Sequence, residues 1–271
     1  MKVLLTRTLT GILFIGIIVL AIVSNAWVLF NVFLIFCCIG LYEYKNLLSK
    51  KDIRLDISFY IISLIVYFAI GYIELWKNPY YKIIFPLGLS ILFLFFLLMA
   101  LFNPKQTSPL SYIAASFAGI ITIVIPFSFI NHFHRMPEGL LLAVFILIWI
   151  YDTLAYCVGS LIGKHPLFQR ISPKKTWEGT LVAALLTIVL SYFFVYFFQK
   201  SNLNSWQWMG LAAIIVTTGT LGDLIESMFK RSLDVKDSGS IMPGHGGILD
   251  RFDSMLFALP FILLYLNIII L

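Results

Sequence analysis

Apolar residues run through this chain in long uncharged blocks, without the alternation or one-sided helical spacing of a water-facing fold. Between Arg7 and Glu43 no charge occurs for 35 residues, longer than the roughly 17 to 25 residues that one bilayer-spanning helix needs. The Ser24-Asn25 pair near the middle is a turn signal and divides this block into two shortish helices. Further apolar runs cover 57–73, 83–102, 110–131, 139–163, 179–198, 206–222 and 254–271. The pattern predicts nine spans, with Pro126 and Pro260 as kinks inside two of them.

Composition narrows the class further. Of 271 residues, 61% are apolar and only 12% charged, about half the roughly 25% charged fraction of soluble domains. With 25 Phe and 13 Tyr, a soluble globular domain, a disordered chain and a nucleic-acid-binding module are excluded. The expected fold is an all-α, polytopic integral membrane protein, a single transmembrane domain over 1–271. Within it, 1–135 contributes spans of hydropathy only, and 139–271 is a catalytic half carrying the polar motifs. The first 26 residues also resemble a secretory signal, but spans follow directly, so they read as an uncleaved first helix. Cys37, Cys38 and Cys157 lie in apolar runs with neither disulfide nor metal spacing.

The net charge of +6 comes from residues placed between the apolar runs, as topology determinants and lipid-headgroup contacts are. On the nine-span reading, Lys and Arg divide 15 to 4 between alternate sides. That positive-inside bias places the N-terminus and the richer loops in the cytoplasm.

The acids are unevenly placed. Asp223, Glu226, Asp234, Asp237, Asp250 and Asp253 are 6 of the chain's 13. Asp223 follows an apolar run without a break, where an ionised carboxylate is expensive without a partner. Asp223 and Glu226 share a helix face, as do Asp250 and Asp253 before the last span. Between the pairs lies Pro243-Gly244-His245-Gly246-Gly247, whose glycines allow close backbone approach to a ligand. Paired carboxylates beside Lys230, Arg231, Lys236 and Arg251 suit Mg²⁺ bound together with substrate phosphates. Asp223 and Asp250 are the expected principal ligands, with Asp253 close by. No Cys or His cluster supports zinc.

Two smaller features stand apart. Ser172-Pro173-Lys174-Lys175-Thr176-Trp177-Glu178-Gly179 precedes a span; it reads equally as a basic flank or as a phosphate clamp of hydroxyls around two lysines. Asp152 interrupts an apolar run, at a depth where an acid is a functional candidate or a helix-helix hydrogen-bonding group. The nearby Gly159–Lys164 stretch lacks P-loop spacing and reads as small-residue helix packing.

The run from Ser227-Met-Phe-Lys230-Arg231 through Lys236-Asp237, Gly239, Pro243-Gly-His245-Gly246-Gly247, Asp250-Arg251 and Asp253 resembles the diagnostic stretch of phosphatidate cytidylyltransferases, the CDP-diacylglycerol synthases. The Ser172–Gly179 and Asp152–Gly159 blocks are similar too, whereas the N-terminal half resembles that family only in hydropathy. The resemblance implies transfer of the cytidylyl group of CTP to phosphatidate, with release of diphosphate, in a bacterial-type cytoplasmic membrane. It implies Mg²⁺, with K⁺ as an assisting cation, and a catalytic group of Asp223, Asp250, Asp253, Lys230 and Arg231. Substrate binding would fall to Asp152, Ser172, Lys174, Lys175, Thr176, Lys236, Asp237, His245, Gly246, Gly247 and Arg251. The expected partners are both substrates and the bilayer, with a homodimer as the expected assembly and no nucleic acid. A CTP-using lipid kinase and a transporter are the competing readings; a transporter would carry its polar groups at the midplane of paired half-repeats.

Overall fold

Helix boundaries in this protein fall where backbone groups find partners, which is often beyond the end of an apolar run. A computed structural model describes residues 2–72, 81–102, 108–242, Gly244 and 246–270. Its helices are α1 (Lys2–Val23), α2 (Ala26–Ser49), α3 (Ile57–Gly71), α4 (Tyr81–Phe102), α5 (Pro109–Gly119), α6 (Ile125–Phe129), α7 (Leu140–Ile162), α8 (Trp177–Ser191), α9 (Phe194–Phe197), α10 (Ser205–Ser232) and α11 (Leu249–Ile270). One antiparallel hairpin, β1 (Pro166–Phe168) with β2 (Ser172–Thr176), qualifies the all-α expectation.

The Ser24-Asn25 turn separates α1 from α2 as the sequence predicts. Asp56 caps α3 by accepting from the Phe59 amide at 3.3 Å. Between α5 and α6 the helical path widens into a π turn at Ile120–Val124. The cause is Pro126, which has no N–H for the Thr122 carbonyl and crowds it with its ring. Pro260, by contrast, lies inside an unbroken α11.

Two boundaries differ from the hydropathy reading. The run expected over 179–198 stops as a helix at Ser191, where the Tyr192 and Phe193 amides bond back three residues to Val189 and Leu190. A single turn, α9, follows. The run expected to end at 222 continues to Ser232, so Asp223, Glu226, Lys230 and Arg231 sit on a helix. A capping box starts that helix: Asn204 accepts from the Gln207 amide at 2.9 Å, and the Gln207 side chain accepts from the Asn204 amide at 2.8 Å. Lys230 and Arg231 in its last turn suit the negative end of the helix dipole.

Among the described residues, five helical stretches are long and apolar enough to cross a membrane: Ala26–Ser49, Pro109–Arg135, Leu140–Ile162, Ser205–Ser232 and Leu249–Ile270. Shorter apolar helices cover Thr8–Val23, Ile57–Gly71, Ser90–Phe102 and Trp177–Ser191.

The chain packs as two units, 26–132 and 1–25 with 133–271. In the first, the core is aromatic, with Phe33, Phe59, Tyr67, Phe96, Tyr112 and Phe127 buried. Its buried polar groups are satisfied locally: Asn131 donates to the Tyr67 hydroxyl at 3.2 Å, Tyr67 to the Phe30 carbonyl at 3.0 Å, and Tyr112 to the Asp56 carboxylate at 3.2 Å. In the second, α1 joins the C-terminal helices, with Phe14 edge-on to Phe252 at 5.6 Å. Tyr151 of α7, Ala183 of α8 and Val216 of α10 form a buried cluster.

Glycines let the helices of this second unit touch backbone to backbone. A methyl group on Gly179 would come 2.8 Å from the Gly159 Cα, so α7 and α8 cross at a glycine pair. One on Gly222 would come 2.8 Å from the Asp253 carbonyl oxygen, bringing α11 against α10 beside Asp223. Gly179→Ala and Gly222→Ala should each cost about 1–3 kcal/mol through overpacking. Gly16→Ala, whose methyl meets nothing within 4 Å, should be neutral or stabilising by up to about 1 kcal/mol through helix propensity. Thermal unfolding midpoints in detergent check the order; equal midpoints for all three would contradict the close crossings.

Candidate active site

The charged residues of the second unit separate into a saturated group and an unsaturated one. The saturated group centres on Lys230, which is buried. Its ammonium donates to Asp250 Oδ1 at 2.6 Å and lies 3.4 Å from Glu226 Oε2. The other oxygen of Asp250, Oδ2, accepts from the Ser238 amide at 2.8 Å, the Ser238 hydroxyl at 3.0 Å and the Gly247 amide at 2.8 Å. Asp250 therefore fastens both sides of the loop between α10 and α11 to the first turn of α11. Gly244 and Gly246 take positive φ there, at 79° and 83°, which glycine adopts without strain. A Cβ on Gly246 would also come within 2.6 Å of Asp250 Oδ2. Lys236 and Asp237 are exposed in the same loop. His245 lies outside the described residues.

Arg231 is likewise occupied. Its Nη1 donates to the Val235 carbonyl at 2.9 Å and its Nε to the Ile171 carbonyl at 3.4 Å. The expected charge-stabilising role of Lys230 and Arg231 thus meets side chains already committed to protein partners.

The unsaturated group spans four elements. Asp223 lies 18 residues into α10, about 27 Å from its start at about 1.5 Å per residue. It forms an ion pair with Lys175 of β2 and accepts from the Ser227 hydroxyl at 3.2 Å. Asp152, near the middle of α7, is exposed, and the charges acting on it are those of Asp253, Lys175, Asp223 and Arg251. It therefore opens onto a polar recess shared by α7, β2, α10 and α11. Asp253 feels Asp223 and faces Glu226. Both Glu226 carboxylate oxygens are buried, between the Lys230 ammonium at 3.4 Å and Asp253, so Glu226 links the two groups. Tyr151 holds α7 to α10 beneath this group, its hydroxyl 2.5 Å from that of Thr220.

Period-two alternation in β2 sends its two lysines to opposite faces. Lys175 meets Asp223, while Lys174 is exposed. The Lys175–Asp223 pair is mostly buried, at side-chain exposures of 30% and 26%, and joins β2 to α10. The Thr176 hydroxyl accepts from the Gly179 amide at 3.2 Å and caps α8. Ser172, half-buried, opens the strand.

Glu178, a half-buried residue in the first turn of α8, accepts from the Lys164 amide at 3.1 Å and the His165 amide at 3.2 Å. Its other oxygen lies 2.5 Å from His165 Nδ1. The His165 hydrogen bond, followed by those amides, holds its carboxyl down to about 2. Sequence reasoning paired Glu226 with Asp223 as carboxylates suited to Mg²⁺ but named neither Glu226 nor Glu178 as a site residue. The signal for Glu226 was its i+3 spacing from Asp223; nothing local marked Glu178 as an acceptor for residues 13 and 14 positions earlier.

The expected joint ligation of one ion by Asp223, Asp250 and Asp253 is not the arrangement observed. Among the described residues, no three His, Cys, Asp or Glu side chains are grouped to hold a metal. The reason is local: Asp250 turns toward Lys230 and the loop amides, whereas Asp253, one helical turn on, turns toward Asp223. The remaining donors still fit a hard cation. Mg²⁺ usually takes only one or two protein carboxylates, with phosphate oxygens and water completing its shell. Asp223 and Asp253, beside Glu226, supply that number.

The sequence of residues 5–269 matches the model of the cytidylyltransferase family. A phosphatidate cytidylyltransferase of Staphylococcus aureus (strain COL) is 42% identical over 152 residues, which cover 55% of this chain and 58% of that protein. The enzyme of the same name from Staphylococcus haemolyticus is 40% identical over 176 residues, 63% of this chain and 66% of that one. The chain therefore aligns with somewhat under two thirds of the length of these relatives.

Lys230→Met should expose the cost of the saturated group. Leaving Asp250 and Glu226 without their cation should destabilise the fold by about 3–5 kcal/mol, read as a lowered unfolding midpoint in detergent. Adding Asp250→Asn should recover part of the loss, and an unchanged midpoint for Lys230→Met would refute the network.

Proposed function

This chain belongs to the cytidylyltransferase family, and from that premise we propose that it transfers the cytidylyl group of CTP to phosphatidate, yielding CDP-diacylglycerol and diphosphate in phospholipid biosynthesis. The observation that carries this reading is the unsaturated recess, where Asp152, Asp223, Glu226 and Asp253 meet Lys175 and Arg251 among apolar helices. Both substrates are phosphate-bearing, and one is a lipid, so a charged group set among apolar helices suits the pair.

In this reaction a phosphate oxygen of phosphatidate bonds to the α-phosphorus of CTP, and the bond from that phosphorus to the β-phosphate bridging oxygen breaks. The nucleophile is already ionised near neutral pH, so the protein supplies position and charge and needs no strong base. Lys175 exchanges Asp223 for a nucleotide phosphate, and Arg251 compensates the charge that builds on the departing diphosphate. Asp223 and Asp253 would hold Mg²⁺, which when bound neutralises phosphoryl oxygens. Asp250 and Lys230 keep the α10–α11 loop in place beneath the substrates.

The same proposal includes a nine-span topology with a cytoplasmic N-terminus. Support comes from the 15 to 4 division of Lys and Arg and from the five long and four shorter apolar helices. It places the hairpin and the α10–α11 loop on the side where CTP is available.

Purified protein given labelled CTP and phosphatidate with Mg²⁺ should form labelled CDP-lipid. A phosphorylated alcohol would point to a kinase, and no turnover to a transporter. Asp223→Asn and Asp253→Asn should each lower turnover about 10²-fold or more while the protein stays folded. Near-wild-type turnover with an unchanged Mg²⁺ requirement in either variant would remove that residue as a ligand. Single cysteines replacing the exposed Lys174 and Lys236, in a background lacking Cys37, Cys38 and Cys157, should label only from the cytoplasmic side. Labelling from outside intact cells would overturn the topology.

A further inference from the structure

Lys175 faces the acid recess, and one ion pair at the end of a long flexible side chain does not by itself set where its backbone sits. Its placement must come from the backbone of β2, and the hairpin that carries β2 is only eleven residues long from Pro166 to Thr176. Two such short strands with so few cross-strand bonds are marginal unless held from outside. The hairpin is held at two places. At its tip, Arg231 of α10 donates to the Ile171 carbonyl at 3.4 Å. At its base, the chain leaves α7 through Gly163, which is extended at φ −64° and ψ 126°. The amides of Lys164 and His165 emerge there with no helical acceptor. Glu178 takes both on one oxygen and the His165 ring on the other. The Trp177 amide completes the closure by donating to the His165 carbonyl at 2.9 Å. The exit of α7 and the entry of α8 are thereby tied together, with the acid on the favourable end of the α8 dipole.

We propose that Glu178 is a positioning residue for nucleotide binding: by closing the base of the hairpin it sets the register from which Lys175 reaches the phosphates of CTP. Glu178 touches neither substrate nor reacting atoms. It acts through the two amides and the ring that it gathers, and its effect on the reaction passes through Lys175. This inference rests on the cytidylyltransferase reading of the same site.

The test is a steady-state comparison of Glu178→Ala, Glu178→Gln and Lys175→Ala with the unaltered enzyme, followed by the double variant Glu178→Ala with Lys175→Ala. Misplacing a phosphate-binding lysine by about 1 Å should raise KM for CTP about 10- to 100-fold in Glu178→Ala, with kcat reduced less and KM for phosphatidate nearly unchanged. Glu178→Gln should recover most of the loss, because an amide oxygen still accepts from both backbone N–H groups. In the Lys175→Ala background, Glu178→Ala should add less than about a twofold further change, since the group it positions is gone. A normal CTP KM in Glu178→Ala overturns the inference. So does an equal proportional loss in both backgrounds, which would mark a purely structural role. Should Glu178→Ala not yield folded protein, His165→Ala, which removes one of the three bonds, should give an intermediate rise in CTP KM, and no rise would refute the proposal. If the unaltered enzyme makes no CDP-lipid, the functional reading fails; an active enzyme with an indifferent Glu178 defeats this inference alone.

Discussion

One buried ammonium governs the layout of the unit formed by 1–25 and 133–271. Lys230 lies between α10 and α11 within reach of two carboxylates, and none of these groups could be left alone at that depth without a large desolvation cost. Compensation fixes more than charge. Because Asp250 gives one oxygen to Lys230, its other oxygen is aimed at the loop and collects Ser238 and Gly247. The loop joining α10 to α11 has almost no regular structure of its own, and this one carboxylate gives it a defined path. Gly246 has to be glycine both for its positive φ and for the nearness of that carboxylate.

Against this fixed background the unsaturated acids stand out. Two acids one helical turn apart on α11 have opposite fates: Asp250 is consumed by structure, while Asp253 looks across to Asp223 and Glu226. The other unit of the chain also buries an acid, Glu43, and its Asp56 accepts from the buried Tyr112, but its further buried polar contacts include neutral pairs such as Asn131 with Tyr67. In the unit formed by 1–25 and 133–271, glycines at 159, 179 and 222 let helix backbones approach closely beside these acids.

Much of this was legible in the sequence because bilayer physics writes a coarse code. Uncharged runs gave the helices, Ser24-Asn25 gave a break, and the position of Asp152 within an apolar run marked it as unusual. The code failed where the deciding bonds are not hydropathic. A hydropathy boundary falls at Asp223, but α10 continues to Ser232 because its backbone bonds and basic last turn favour it whatever the solvent. The run to 198 looked continuous because Tyr192, Phe193 and Phe197 are apolar, although the helical ladder tightens and ends at Ser191. The hairpin was invisible because Ser172-Pro173-Lys174-Lys175-Thr176 has a loop composition, and its partner strand is only three residues long. Pairwise facts of this kind, such as Lys230 choosing Asp250 or Glu178 reaching back to Lys164, depend on how helices pack, which spacing along one helix does not specify.

The charge balance of the recess bears on how the nucleotide arrives. Five carboxylates, Asp152, Asp223, Glu226, Asp250 and Asp253, are set against three cations, Lys175, Lys230 and Arg251, so acids outnumber bases there before any substrate enters. A triphosphate would deepen that imbalance, and repulsion between anions is strong where water is scarce. The recess can accept CTP only if positive charge enters with it, and a divalent cation carried on the phosphates meets that demand with few protein ligands. On this account the acids are arranged to receive a metal-nucleotide complex. On the proposed function, a cation held by Asp223 would leave Lys175 available to pair with the phosphates.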